Sequence, residues 1–352
     1  MLNVKKEGIL LEKTNNGFEN DSVCNPAAVR EGDHVHLYYR AVRHGNYSSV
    51  GYCKLDGPLR IIERRKKPIL FPEEPYESQG TEDSRITKIE DTYYLTYSAY
   101  DKINVFGAYA TSKDLVTFEK QGIITPKFTY REFKHLIECC QGLSDKYLFH
   151  YKLFKEHGLG EELSRKLYVW DKNLFLFPKK IGGKLALIHR IHPGIQIVYF
   201  EDFGELTYDF WKDYMMNLEQ YIIMDPKLHH ESSHIGGGCP PIETKDGWLL
   251  IYHAAEDTPE GLVYHASAAL LDLNDPKKEL ARLSQPLISP TYQWEKEGVV
   301  RNIIFPSGAV VFDDVLYIYY GAADSRVATA SVSLEELLNE LKKPENQSHV
   351  QH

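Results

Sequence analysis

The sequence predicts an all-β protein, a five-bladed β-propeller with a short C-terminal helix. Three observations carry that expectation. A motif recurs from end to end: a polar turn with Gly or Asp, an apolar-aromatic run ending in Tyr or His, then a second run. The runs are short, β-branched and aromatic, with Gly, Pro and Asp between them, which is strand composition rather than helix composition. Most copies lie about sixty residues apart, the size of a four-stranded unit, and such repeats read as propeller blades or arrays. A β-sandwich would not explain the fixed order of elements.

The first copy is Gly32-Asp33 leading to Val35–Arg40, with Ser49–Cys53 as partner. The second is Glu90-Asp91 leading to Tyr93–Tyr97, then Val105–Ala110. The third is Gly182-Gly183 leading to Leu185–Arg190, then Ile195–Tyr199. The fourth is Asp246-Gly247 leading to Trp248–His253, then Tyr264–Ala268, and the fifth is Asp313-Asp314 leading to Leu316–Tyr320, then Val327–Ala330. Between the second and third, Phe128–Asp171 reads as extra strands, Lys146–Tyr151 among them, plus an inserted charged loop. Gly204–Tyr221 reads as a short helix or a lid. Ser333 followed by leucines at helical spacing predicts a capped terminal helix. One domain is expected over residues 1–343, with 344–352 a disordered tail.

Net charge of −9 argues against a nucleic-acid partner, because phosphate backbones demand a basic surface. Five cysteines without metal-ligand spacing indicate neither a disulfide framework nor a metal. No leader-like or membrane-length apolar run appears, so a cytoplasmic protein is expected, with no membrane partner. The 24 tyrosines suit strands and sugar-binding clefts alike.

Polar residues gather at matching places in the repeats. Glu82-Asp83-Ser84-Arg85 precedes the second strand pair, and on an extended chain its two carboxylates point to opposite faces. One can be held by an arginine while the other faces a cavity, as a catalytic acid would. Taken alone, the box is equally a surface turn with an ordinary ion pair. Asn25 and Arg40 flank the first copy, Lys172 and Arg190 the third, His234 and His253 the fourth, and Asp324 ends the fifth. Five such placements imply one polar cleft, acidic at Glu82, Asp83 and Asp324 and basic at Lys172, Arg190, His234 and His253.

Asn25-Pro26-Ala27, the Glu82–Arg85 box, Leu176-Phe177-Pro178, His189-Arg190, Ile235–Pro241, Gly247–His253 and Phe305–Gly308 together resemble glycoside hydrolase family 130, the mannoside phosphorylases and β-mannosidases. The resemblance spans nearly the whole chain and implies a five-bladed propeller cleaving β-mannosides with inversion. It implies Asp83 as the catalytic acid, delivering its proton through a sugar hydroxyl. It implies a substrate set of Asn25, Arg40, Glu82, Arg85, Tyr264 and Asp324, with Arg85 orienting the acidic box. Phosphate would be held by Lys172, Arg190, His234 and His253. Lys172 stands where the family usually has arginine, His234 where it has lysine, and Ser84 where it has proline. Phosphorolysis needs no general base, whereas an inverting hydrolase needs a second carboxylate roughly 6.5–9.5 Å from the acid. Glu231 and Glu256 are the candidates for that base. Phosphorolysis to mannose 1-phosphate is the expectation, with an inverting hydrolase and a non-catalytic glycan-binding propeller as alternatives. No cofactor is implied beyond inorganic phosphate as co-substrate; linkage, aglycone and self-association stay open.

Overall fold

The computed structural model describes residues 2–138, 140, 143–156, 162 and 165–347, and it is mostly β. Strand β1 (Lys5–Leu11) comes first, followed by the antiparallel run β2 (Ser22–Glu31), β3 (His34–Arg43), β4 (Tyr47–Asp56) and β5 (Arg60–Arg64). A second run follows, β6 (Gly80–Ile89), β7 (Thr92–Tyr100), β8 (Val105–Ser112) and β9 (Glu119–Ile123). A single parallel bridge, Ser48 to Gly80, joins the two runs into one sheet. After helices α1 (Tyr130–Ile137) and α2 (Phe149–Glu156), a third run holds β10 (Asp171–Leu176), β11 (Leu185–Ile191) and β12 (Ile195–Phe200). It ends, past helix α3 (Tyr208–Met216), with β13 (Ile222–Met224). The fourth run is β14 (His234–Gly237), β15 (Ile242–Thr244), β16 (Gly247–Thr258), β17 (Gly261–Leu271) and β18 (Glu279–Arg282). The last comprises short α4 (Gln293–Lys296), β19 (Ile304–Phe312), β20 (Val315–Ala322) and β21 (Arg326–Ser333). Its outer strand is β1, paired with β21. All five strand pairs expected from the sequence are antiparallel neighbours.

Apolar residues on facing sides of successive runs bury one another. Tyr38 and Tyr52 pack with Leu95 and Tyr97, and Ile89 with Leu174 and Leu187. Ile188 and Ile197 pack with Trp248 and Leu250, and Ile251 with Ile318 and Tyr320. A fifth cluster returns from Val310 and Tyr319 to Leu37 and Tyr39 of the first run. Each layer removes large side chains from water, worth about 1.5–3 kcal/mol per fully buried residue.

A polar device recurs behind these layers. A tyrosine near the end of the second long strand donates to a fully buried glutamate that precedes the run, and a cation from the outer strand pairs with that glutamate. The sets are Tyr39–Glu19–Arg64, Tyr97–Glu77–Lys120, Tyr252–Glu231–Arg282 and Tyr320–Glu295–Lys6. In the third run His189 takes the tyrosine's place, bonded to Asp171 and Tyr214. Many of the tyrosines that could have served a sugar cleft are therefore core.

Two expectations are corrected. Lys146–Tyr151 is not strand: Asp145–Leu148 forms a 3-10 turn and Phe149 starts α2. Its apolar residues recur at helical spacing, and Tyr147 inserts beneath the third sheet to bond Asp225. The expected inserted loop lies partly outside the described residues. The tail does not begin disordered, because α6 (Pro344–Gln347) follows α5 (Leu334–Leu341) and its buried Asn346 accepts from the Ser284 amide. Residues 348–352 lie outside the described residues. The segment Gly204–Tyr221 contains α3, and Ser333 caps α5 by accepting from the Glu336 amide. Cys24, Cys53, Cys140 and Cys239 are free thiols, and Cys139 lies outside the described residues. Among the described residues no helix is long and apolar enough to cross a membrane.

Candidate active site

The first strands of the runs aim their polar residues inward by breaking their own ladders. Bulges between Cys24 and Ala27, Glu82 and Arg85, and Lys172 and Phe175 interrupt β2, β6 and β10. They leave Asn25, Asp83 and Asn173 at φ of +48°, +49° and +56°, and Asp324 after β20 sits at +49°. Asn and Asp enter this left-handed region at least cost after glycine, and a bulge re-aims the side chain it carries. Close approach also demands glycine at Gly321, where a methyl group would collide with Asn25 Oδ1.

The acidic half forms around Asp83. Asn25 Nδ2 donates to Asp83 Oδ1 at 2.7 Å, and Arg40 Nη1 lies 3.7 Å from the same oxygen. Arg40 Nη2 donates to Glu82 Oε1 at 2.6 Å, while Ser48 Oγ accepts from Arg40 Nε and donates to Glu82. The arginine that holds the acidic pair is thus Arg40. Arg85 acts on the backbone instead: it donates to the carbonyls of Asp83, Ser84 and Gly238, and its Nη2 is buried without a partner. The Asp83 side chain remains 16% exposed, enough to meet a ligand. Burial raises its proton affinity, but the Arg40 charge, the Asn25 hydrogen bond, Arg85 and Lys172 outweigh this and hold its pKa below the usual value. Asp324 goes the other way. Burial, opposed by Arg40 but reinforced by the charges of Asp83 and Glu82, lifts it to about 6. Of these two carboxyls, Asp324 takes a proton first.

The third and fourth runs carry the basic half. Arg190 Nε donates to Asn173 Oδ1 at 3.1 Å, and Lys172 Nζ lies 5.0 Å from the Trp170 ring centre. Neither cation has a carboxylate within salt-bridge distance among the described residues. His234 shares hydrogen bonds with Ser233 and Tyr264, while buried His253 lies 4.6 Å from Phe305 with its Nδ1 unpartnered. Burial and the Arg190 charge push His234 down to about 2; burial, His234 and Arg190 push His253 well below its usual value. The four-residue basic cluster is therefore two cations and two neutral imidazoles. Sequence reasoning missed Asn173, His150 and His192. The two histidine rings lie 5.4 Å apart and His192 lies 5.2 Å from His234. Only Asn173 left a signal, as an Asn placed like Asn25 just before an apolar run.

Neither candidate base is free. Glu231 is fully buried and accepts from Arg282, Tyr252 and the amides of Lys227 and Leu228, as the fourth run's copy of the tyrosine–glutamate–cation device. Glu256 pairs with His265 at 3.2 Å and with His229 at 3.3 Å.

The profile of glycoside hydrolase family 130, described as beta-1,4-mannooligosaccharide phosphorylase, matches residues 7–343. A 1,2-beta-oligomannan phosphorylase of Thermoanaerobacter sp. (strain X514) is 33% identical over 341 residues, covering 94% of this chain and 96% of the relative. A beta-1,2-mannobiose phosphorylase from the same strain is 32% identical over 334 residues, covering 91% and 93%. The solved structure of the Listeria innocua beta-1,2-mannobiose phosphorylase, in complex with beta-1,2-mannobiose, superposes with a TM-score of 0.71. It is 24% identical and covers 97% of this chain and 99% of that one, a likeness of fold. With its profile matched almost end to end, and relatives a third identical over the same span, this chain belongs to glycoside hydrolase family 130.

Proposed function

We propose that this chain is an inverting β-mannoside phosphorylase, built as a five-bladed propeller whose central cleft holds the sugar. The observation that carries this reading is the pair Lys172 and Arg190, inward-facing cations with no carboxylate partner among the described residues, near an anchored Asp83. Two cations in a low-dielectric site without a carboxylate in direct contact are costly unless an anion arrives. Inorganic phosphate is that anion. Asn25, Arg40 and Asp324 hold the terminal mannosyl unit, with His253 Nδ1 and Arg85 Nη2 as unfilled hydrogen-bonding positions near it. A phosphate oxygen attacks the anomeric carbon as the glycosidic C–O bond breaks. Asp83 supplies the leaving oxygen's proton through a sugar hydroxyl. The products are α-mannose 1-phosphate and a mannoside one unit shorter.

Phosphate also prepares the acid. Lys172 is one of the charges that keep Asp83 ionised, so an anion against Lys172 raises the proton affinity of Asp83. The engagement of Glu231 and Glu256 elsewhere supports phosphorolysis over hydrolysis, because water would need one of them as base. The names of the relatives favour the same reaction class. The test is product analysis on β-1,2- and β-1,4-mannobiose with and without phosphate. Mannose 1-phosphate formed only with phosphate is expected. Free mannose released equally without phosphate, or binding without turnover, would overturn the proposal.

A further inference from the structure

Trp170 and Lys172 flank Asp171, the first residue of β10. Residues two apart on an extended chain share a face, which sets the Lys172 stem beside the indole. Lys172 Nζ lies 5.0 Å from the ring centre. The segment entering β10 is pinned from behind: the Val169 amide donates to the Phe128 carbonyl, and the Trp170 amide donates to Tyr130 Oη at 3.3 Å. From α2, the His150 ring lies 5.7 Å from the indole. Burial, Arg190 and Lys172 push His150 down to about 4, so this neighbour is a neutral ring and not a third cation. The Trp170 side of the contact is open to the cleft, with the residue 37% exposed.

The contact matters because of where the ammonium would otherwise go. Burial lowers the proton affinity of Lys172, as do Arg190 and Arg40, whereas Glu82 and Asp83 raise it. The side chain thus stands in an attractive field from the acidic half, yet it has no carboxylate at salt-bridge distance among the described residues. Lysine carries its charge on a flexible four-carbon stem and lacks the rigid fork of arginine. Drawn toward Glu82 and Asp83, it would leave Arg190 alone to meet an anion and would hold the Asp83 carboxyl ionised. A ring face counters that pull, because its negative quadrupole attracts an ammonium, most strongly where water is excluded. We propose, on the phosphorylase reading above, that Trp170 is a positioning residue whose ring keeps the Lys172 ammonium on the phosphate side of the cleft, away from Asp83 and Glu82.

Initial rates with phosphate and mannoside varied separately test this. Trp170→Leu should raise the KM for phosphate at least about fivefold and leave the KM for mannoside within about twofold. It should also move the basic limb of the kcat/KM profile to lower pH, because an ammonium nearer Asp83 disfavours its protonated form. Trp170→Tyr keeps a ring face and should stay within about twofold of wild type in both KM values. Adding Trp170→Leu to Lys172→Ala should shift the phosphate KM by less than about twofold, since the ring then has no ammonium to hold. An unchanged phosphate KM in Trp170→Leu, an equal effect on the Lys172→Ala background, or a loss that Trp170→Tyr does not relieve overturns the proposal. Tryptophan fluorescence during titration with inorganic phosphate alone reads the contact without turnover; the response should be lost in Trp170→Tyr. Phosphorolysis with unaltered Trp170→Leu kinetics removes the role of Trp170 alone. A Trp170-dependent fluorescence response without phosphorolysis removes the reaction alone.

Discussion

Asp83 and Asp324 show how neighbours, rather than residue type, assign the proton. Arg40 and Asn25 bind Asp83 directly, whereas buried Asp324 feels the negative charges of Asp83 and Glu82. If Asp83 is the acid, Asp83→Asn should lower kcat by about 10²–10⁴, the usual share of general acid catalysis, while mannoside binding persists. Retention of full kcat would remove Asp83 from that role. Asp324 makes a thermodynamic prediction. A carboxyl with a raised folded pKa adds stability that is complete below its unfolded value of 3.8 and lost as pH rises through about 6. Asparagine mimics the protonated form at every pH. The Tm of Asp324→Asn minus that of wild type should therefore rise between pH 5 and pH 8, at the expense of activity. A flat difference would contradict the assigned burial and repulsion.

The tyrosine–glutamate–cation device explains why one carboxylate that looked catalytic in the sequence is structural. Glu231 lies three residues before His234 and so was a natural candidate for a base. Glu19, Glu77 and Glu295 occupy the same station in other runs, each with its tyrosine and its cation. That correspondence was invisible because the cations come from outer strands, and Lys6 reaches Glu295 from the opposite end of the chain. Glu231→Gln breaks a buried pair with Arg282 and should cost about 3–5 kcal/mol in urea unfolding at pH 7. Burial tends to raise the Glu231 pKa, but Arg282, Tyr252 and two amides bring it below its ordinary 4.5. The stability it confers is thus present above pH 4.5 and fades as pH falls, so wild type and variant should converge in acid. Correctly folded variant should keep its phosphate dependence; loss of activity with unchanged stability would restore Glu231 as a catalytic candidate.

Across the whole molecule, what the sequence revealed and what it hid follow contact range. Recurring polar turns and the apolar-aromatic runs after them exposed all five strand pairs, since each is set by residues close in the chain. The pairing of β1 with β21 left no local trace, and neither did Arg40 as the partner of Glu82, because both contacts bridge separate elements. The polar stations were legible because each run places one at the same point. Their protonation was not, because the neutrality of His234 and His253 depends on burial beside other charges. The resulting division, carboxylates on the second and last runs and, on the third, two cations with no carboxylate in salt-bridge contact among the described residues, makes a joint prediction. Lys172→Ala should raise the KM for phosphate at least about tenfold, a loss of ~1.4 kcal/mol, and leave the KM for mannoside within about twofold. The same substitution removes one of the charges depressing Asp83, so the basic limb of the kcat/KM profile, where the acid loses its proton, should move to higher pH. Initial rates with phosphate and mannoside varied separately, from pH 4.5 to 8, measure both effects. An equal rise in the two KM values would mean that Lys172 supports the cleft without meeting phosphate, and an unmoved basic limb would mean that the two halves do not share a field.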